Sequence, residues 1–382
     1  PLMEPAGSEA AERDGPIVES TTGREVTVAS ETVTLPVRRP VVLIAGGDID
    51  MGRVRGQVML REPTGDGLSA FADLFGAADL RFANLESTIT DQNGRTQDPR
   101  NILVFTAPPA AAQALSRARF DVVGLANNHA WDYGEAGLFE TFERLDAASV
   151  PWVGAGRSRE EAYAPVVLER NGQRIAFVAA TGVWNQAFSP HPGKERIADA
   201  RAEDLYAAIR AARDVSGVDR VVVSYHGGDE YLAEPLPGTR ALLMGALDAG
   251  ADAVIGHHPH VVQRVEVHGG KPILYSLGNL LMRVVTEQPW TEYGITARLT
   301  FPEGSGAIAV SICPHRTLGL DAIPLARDPL REVTGRFFRA RFERLLAVGG
   351  RVDPASAVVM GELGADGCAE LKPSPRDSAV GR

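Results

Sequence analysis

Oxygen and nitrogen donors of the kind that grip divalent cations fall at five places in the chain, each just past an apolar run that reads as a strand. Asp48 and Asp50 follow the run at 40–45 (PVVLIA). Glu86 follows 80–83, and Asn127, Asn128 and His129 follow 121–126. His226 follows 219–225; His257, His258 and His260 follow 252–256. Of the eight histidines, five lie in these segments, which random scatter would rarely produce. Rigid strands deliver such side chains and loops let them converge. Imidazole with carboxylate suits Mn, Fe, Zn or Ni, whereas an oxygen-only set suits Mg or Ca. One bridging carboxylate with His and Asp on either side would hold two ions roughly 3.5–4 Å apart, a pair that activates water and clamps a phosphoryl oxygen.

The elements that must position these residues alternate between β and α. Residues 68–75 have helical spacing, 108–118 read as a helix with proline at its start, and 135–148 place Leu138, Phe142 and Leu145 on one helix face. Asn171-Gly172 between two β runs, 164–169 and 174–180, is a strong hairpin signal. Helices at 202–213 and 238–249 precede the strands at 219–225 and 252–256. A turn at Gly269-Gly270, a late hairpin at 293–313 and a basic amphipathic helix at 330–347 follow. The pattern predicts an α/β protein with two packed mixed sheets flanked by helices. Ligand sites in such folds gather at the carboxyl ends of strands. Gly46-Gly47 is expected to stop the first strand. Residues 1–39 read as a weakly ordered lead with a short edge strand near Glu25–Val28. The catalytic domain is expected over 40–318, a helical extension over 319–369, and a solvated tail over 370–382.

Composition narrows the function. A formal net charge of −10 over 382 residues argues against nucleic acid as a partner. Cys313 and Cys368 match no metal or redox spacing and read as ordinary thiols. No apolar run approaches the roughly 18 residues of a membrane span. The sequence as given therefore predicts a cytoplasmic protein, or an extracytoplasmic one if an anchor precedes Pro1.

The segments GDIDMGR (47–53), NLESTIT (84–90), ANNHAWDYGEAG (126–137), HGGDEY (226–231), GHHPHVVQ (256–263) and KPILYSLGN (271–279) together resemble the poly-γ-glutamate capsule-synthesis family, CapA/PgsA, of the calcineurin-like metallophosphatase superfamily. The resemblance covers roughly 40–282. It implies a calcineurin-like fold and one or two divalent ions (Mn, Fe, Zn, Ca or Mg) held by Asp48, Glu86, Asn128, His226, His258 and His260, with Glu86 at the bridging position. It also implies His129 as an acid/base beside Asn128. Asp50 stands where the superfamily has histidine, and could add a ligand or a base. In extended backbone His258 and His260 share a face, so both point inward and His257 points away.

The candidate acid/base groups are therefore His129, Asp50, His258 and Asp132, and the candidate substrate contacts are Arg53 and Trp184. Asp132 has a bland alternative as the cap of the helix at 135, and Arg53 one as a structural ion pair. Asn127 reads as a turn residue; His191, His268 and His315 read as surface residues. The long loop at 182–200, which carries Trp184, is a candidate lid. Three functions compete: hydrolysis of a phosphoester or related bond; epimerisation of a C-terminal residue, as in the soluble branch of the family that acts on lasso-peptide precursors; and a non-catalytic part in capsule assembly. The partner expected is a small molecule, a peptide or an anionic polymer.

Overall fold

The apolar run at 40–45 forms the centre of a longer strand, Val41–Ile49, in the computed structural model, which describes residues 38–91, 103–185, 193–284 and 286–374. Gly46 and Gly47 do not stop it. The strand continues through them with a shift of register between Ala45 and Asp48. Glycine is required because a Cβ on Gly47 would lie 1.8 Å from the Gly278 carbonyl oxygen. That close approach lets Asp48 N–H donate to Gly278 at 3.1 Å.

Val41–Ile49 runs parallel to Leu80–Leu85, which runs parallel to Val122–Gly124. On its other side it pairs antiparallel with Tyr293–Phe301. These strands belong to a ten-stranded mixed sheet. A six-stranded mixed sheet carries Gln173–Thr181, Arg220–His226 and Ala253–His257 as parallel neighbours. The Asn171-Gly172 hairpin closes its edge, with both residues at positive φ (52° and 71°) as a type I′ turn demands. The two sheets pack face to face: Phe82 of the first stacks on Phe177 of the second at 5.9 Å, and Leu43, Val222 and Ile255 share the buried layer between them. The helices Ala202–Asp214 and Pro237–Asp248 cover the outer face of the six-stranded sheet with Leu205, Ile209, Leu243 and Leu247. This is the expected architecture of two packed mixed sheets flanked by helices. Among the described residues no helix is long and apolar enough to cross a membrane.

Three expectations are corrected. Cys313 and Cys368 are not thiols but a disulfide, 55 residues apart in sequence. They meet because Ala309–Leu318 pairs antiparallel with Ala369–Pro373 in a register that sets Ile312 opposite Ala369. That strand is the second correction, since the solvated tail was expected to begin at 370. The stretch 319–369 holds the helix Arg331–Val352 and also the strands Asp321–Pro324 and Val358–Met360, which extend the ten-stranded sheet. The edge strand near Glu25, most of the lead, His191 and residues 375–382 lie outside the described residues.

His315 is the third correction. It is buried, not on the surface: its Nε2–H donates to the Asn279 carbonyl at 2.8 Å and its ring meets Phe71 edge-on. Burial draws its pKa down to about 4. The unfolded chain takes up this proton below about pH 6.5 and the folded one does not, so stability falls as pH drops from there toward about 4. By pH 5 the loss from this group is about 2 kcal/mol. His315→Gln should abolish that share of the acid slope. Urea midpoints of both proteins at about pH 7.5 and about pH 5 test it; an unchanged slope would count against a neutral buried imidazole.

Candidate metal centre

The parallel strands of each sheet end at the same edge, and the two edges face each other. Asp48 lies in the first strand, Glu86 directly follows Leu80–Leu85, and Asn128 and His129 lie just past Val122–Gly124. From the other sheet come His226, at the end of its strand, and the loop that follows Ala253–His257. Gly256 admits that loop, since a Cβ there would lie 2.0 Å from the Tyr275 carbonyl oxygen.

Two sets of donors result, with one member in common. The ligand atoms of Asp48, Glu86 and His260 lie within 4.8 Å of one another, and so do those of Glu86, His226 and His258. Glu86 belongs to both sets. A third set, Glu230 with His258 and His260, lies on the exposed side. Asn128 Oδ1 accepts from His226 Nε2 at 2.7 Å, which brings the amide to the same point.

The donor atoms behave as a cation site should. Both carboxylate oxygens of Glu86 and the Nδ1 of His258 are buried without a hydrogen-bond partner. Buried polar atoms are otherwise almost always paired, so these three call for an occupant. Burial, then the negative charge of Asp48, raise the Glu86 carboxyl well above the usual range. Burial also pushes Asp48 up, but the neighbouring imidazoles of His257 and His260, at 3.4 and 3.6 Å, outweigh it and hold this carboxyl well below its usual value. Burial, then His260, pull His258 down to about 3. Burial, then His258, lower His226 as well. Neutral imidazoles keep the lone pair a metal takes. The donor set is mixed nitrogen and oxygen, compatible with a divalent metal ion.

His258 and His260 reach the site by a different route from strand alternation. They lie in a loop with φ of +96° and +56°, a left-handed conformation that side chains with a Cβ rarely adopt. Strain of this kind concentrates at functional sites. Alternation ends at His257, which does not point away: its Nδ1 lies 3.4 Å from Asp48 Oδ1.

Around the donors sits a frame that motif reading did not single out. Asn84 Nδ2 donates to Asp48 Oδ1 at 2.8 Å and lies 3.2 Å from His226 Nδ1. Asn279 Oδ1 meets His260 Nδ1 at 3.0 Å. Asn127 is structural, as expected, donating to Leu85 O and Asn84 Oδ1. Asparagines opposite a ligand orient it and set its tautomer. Their one signal in sequence is position: Asn84 precedes Glu86 by two, and Asn279 ends the KPILYSLGN segment.

His129 stands beside the donor sets and in neither. Its Nδ1 lies 2.6 Å from Asp132 Oδ2, and its ring stacks on Phe105 at 3.6 Å. Asp132 does not cap the helix Gly134–Ala147, whose N-terminus has no side-chain cap. Asn185 bridges His129 and Asn128, accepting from Asn128 Nδ2 at 3.0 Å. Trp184 is half-buried against the core; residues 186–192 of its loop lie outside the described residues. Asp50 is not among the donors. One oxygen accepts from Gly52 N–H and the other from Arg53 Nε, each at 2.7 Å. Arg53 in turn lies over the Phe105 ring at 4.2 Å.

The model of the family described as bacterial capsule synthesis protein PGA_cap matches residues 42–284. The chain belongs to the PGA_cap family. Every donor just described falls inside the matched span. This PGA_cap protein is 31% identical over 292 residues to the PGA biosynthesis protein CapA of Bacillus subtilis (strain 168), covering 75% of this chain and 74% of that one. It is 31% identical over 286 residues to the capsule biosynthesis protein CapA of Bacillus anthracis, covering 73% and 66%. Among solved structures, the calcineurin-like phosphoesterase YfkN of Bacillus subtilis aligns over 75% of this chain and 88% of that one, at 13% identity and a TM-score of 0.40.

Proposed function

We propose that this protein is a metal-dependent hydrolase of a phosphoester or related bond in an anionic substrate. The observation that carries the reading is Glu86: a buried, unpartnered carboxylate shared by two donor sets, with a histidine–aspartate pair alongside. Ions held by Asp48, Glu86, Asn128, His226, His258 and His260 would supply Lewis acidity and an activated water. The chain's own residues do the rest. Asp132 holds Nδ1 of His129, so proton transfer to the leaving oxygen falls to Nε2, which lies 3.4 Å from Asn185 Nδ2. Phe105 fixes the plane of the imidazole, and Asn185 ties it to Asn128. The epimerase reading is the weaker one, because both oxygens of Asp50 are already engaged and no Asp50–histidine pair faces the site.

The substrate class and compartment are carried by separate observations. The relatives are named for PGA and capsule biosynthesis, which favours an anionic polymer or its precursor. The Cys313–Cys368 disulfide favours an oxidising compartment over the cytoplasm expected from sequence.

His129→Ala should retain its metal and lose about 10²–10⁴-fold in turnover of an aryl phosphate. Metal analysis and steady-state kinetics on the same sample check both halves. Full turnover without His129, or deuterium uptake at a peptide Cα without cleavage, would displace the hydrolase reading.

A further inference from the structure

Beside the metal centre the chain builds a second feature that catalysis does not use. The helix Arg53–Arg61 begins directly after Asp50, and the loop carrying Met282 and Arg283 begins directly after the strand that pairs with Asp48. Between them lies a cleft of about 80 Å³, walled by Arg53, Arg55, Arg283 and Thr317. It shares Met282, Arg283, Thr317 and Gly319 with a neighbouring cleft of about 240 Å³, so the two adjoin as one groove.

The charge of this groove is out of keeping with the molecule. The chain carries a net −10, yet three arginines line this groove against two acidic residues, Glu292 and Asp50, and Asp50 is engaged by Arg53. Arg55 is the informative one. Its side chain is 7% exposed, and its hydrogen bond to a carboxylate is a 3.3 Å contact with Asp321, which is 70% exposed. A buried guanidinium normally has close, bidentate partners. Burial lowers its pKa, and Asp321 offsets this only in part. Thr317 adds a buried hydroxyl without a hydrogen-bond partner. The helix has no acidic residue in its first turn and no side-chain cap, and its Gly52 and Val54 also line the cleft. Donors therefore outnumber acceptors here: Asp50 is already held by Gly52 and Arg53, and Asp321 meets Arg55 only at 3.3 Å.

We propose that this groove is an oxyanion subsite: Arg55, Arg283 and Thr317 bind a carboxylate or phosphate of an extended ligand whose reacting bond lies at the metal centre. It rests on the proposed hydrolase only for where the groove leads. Binding of the anion is a separate matter.

The test is calorimetric titration of the metal-loaded protein with a γ-glutamyl oligomer, its methyl-ester counterpart and inorganic phosphate. The unsubstituted protein should bind the oligomer, with affinity falling as salt rises, and should not bind the ester. Tight binding of phosphate instead would identify the phosphate source. Arg283→Gln should weaken binding of the preferred anion about tenfold, with metal content unchanged. Arg55→Gln and Thr317→Val should weaken it further. Arg283 is exposed and makes no ion pair among the described residues, so its substitution also guards against misfolding. Affinities within twofold of the unsubstituted protein in Arg283→Gln and Arg55→Gln would overturn the subsite, as would absence of binding to both anions. Arginine-dependent binding without any turnover would remove the hydrolase reading and leave the subsite standing.

Discussion

Glu86→Gln loses its metal and, with metal withheld, unfolds at a higher temperature than the unsubstituted protein. The two effects share one cause. Glu86 is buried beside Asp48 with both oxygens unpaired. Its carboxyl is raised, so the folded state holds a proton that the unfolded chain releases above about pH 4.3. The share of metal-free stability that this group contributes is therefore present below about pH 4.3 and lost as pH rises through the raised folded value. A neutral glutamine carries no such loss, and an uncompensated buried charge is worth on the order of 3 kcal/mol. With metal present the order reverses. An ion that binds only the folded state adds about 2.7 kcal/mol at a hundred times its Kd, and the variant cannot collect it. Asp48→Asn and His260→Ala should also lose metal, since each leaves one donor set with two members. Metal stoichiometry together with melting curves in chelator and in excess Mn or Zn, at about pH 5 and pH 8, check the crossing. Full occupancy in Glu86→Gln would remove the shared-carboxylate site.

Reduction of the Cys313–Cys368 bond is the second large effect. The bond closes a 55-residue separation, and in the chain-entropy model a loop of this size is worth about 4 kcal/mol. The enclosed segment includes the helix Arg331–Val352, whose Phe338, Phe342 and Leu346 enter the core. Freed, the strand Ala369–Pro373 keeps only its ladder to Ala309–Leu318 and to Val358–Met360. Melting should fall by about 5 °C on reduction or in a Cys313→Ser, Cys368→Ser variant. Thiol titration of the denatured, unreduced protein should find no free cysteine. Two free thiols, or an unchanged melting temperature after reduction, would contradict the bond and with it the oxidising compartment.

Positions of the donors were legible along the chain because parallel strands place their carboxyl ends together, so each apolar run announces where its next polar residue will stand. How the donors are held was not. His257 was expected to face away, yet it lies 3.4 Å from Asp48, because the backbone leaves the extended conformation at His258. Asp132 carries both a helix-start signal and a place three residues after His129, and only the fold shows that the imidazole takes it. Asp50 was open as ligand or base until Gly52 and Arg53 were seen to occupy its oxygens. The asparagine frame, Asn84, Asn185 and Asn279, is uninformative as composition, since asparagine is common in turns.

Read alone, the sequence determined the alternation of strands and helices, the Asn171-Gly172 hairpin and the order of donor segments. These depend on periodicity and turn chemistry among near neighbours. Tertiary structure alone decided that His257 lies against Asp48, that His315 is buried, that Cys313 meets Cys368, and that three arginines line one groove. Each of those depends on contacts between residues tens to hundreds of positions apart, whose register is set by sheet pairing and leaves no local mark in the chain.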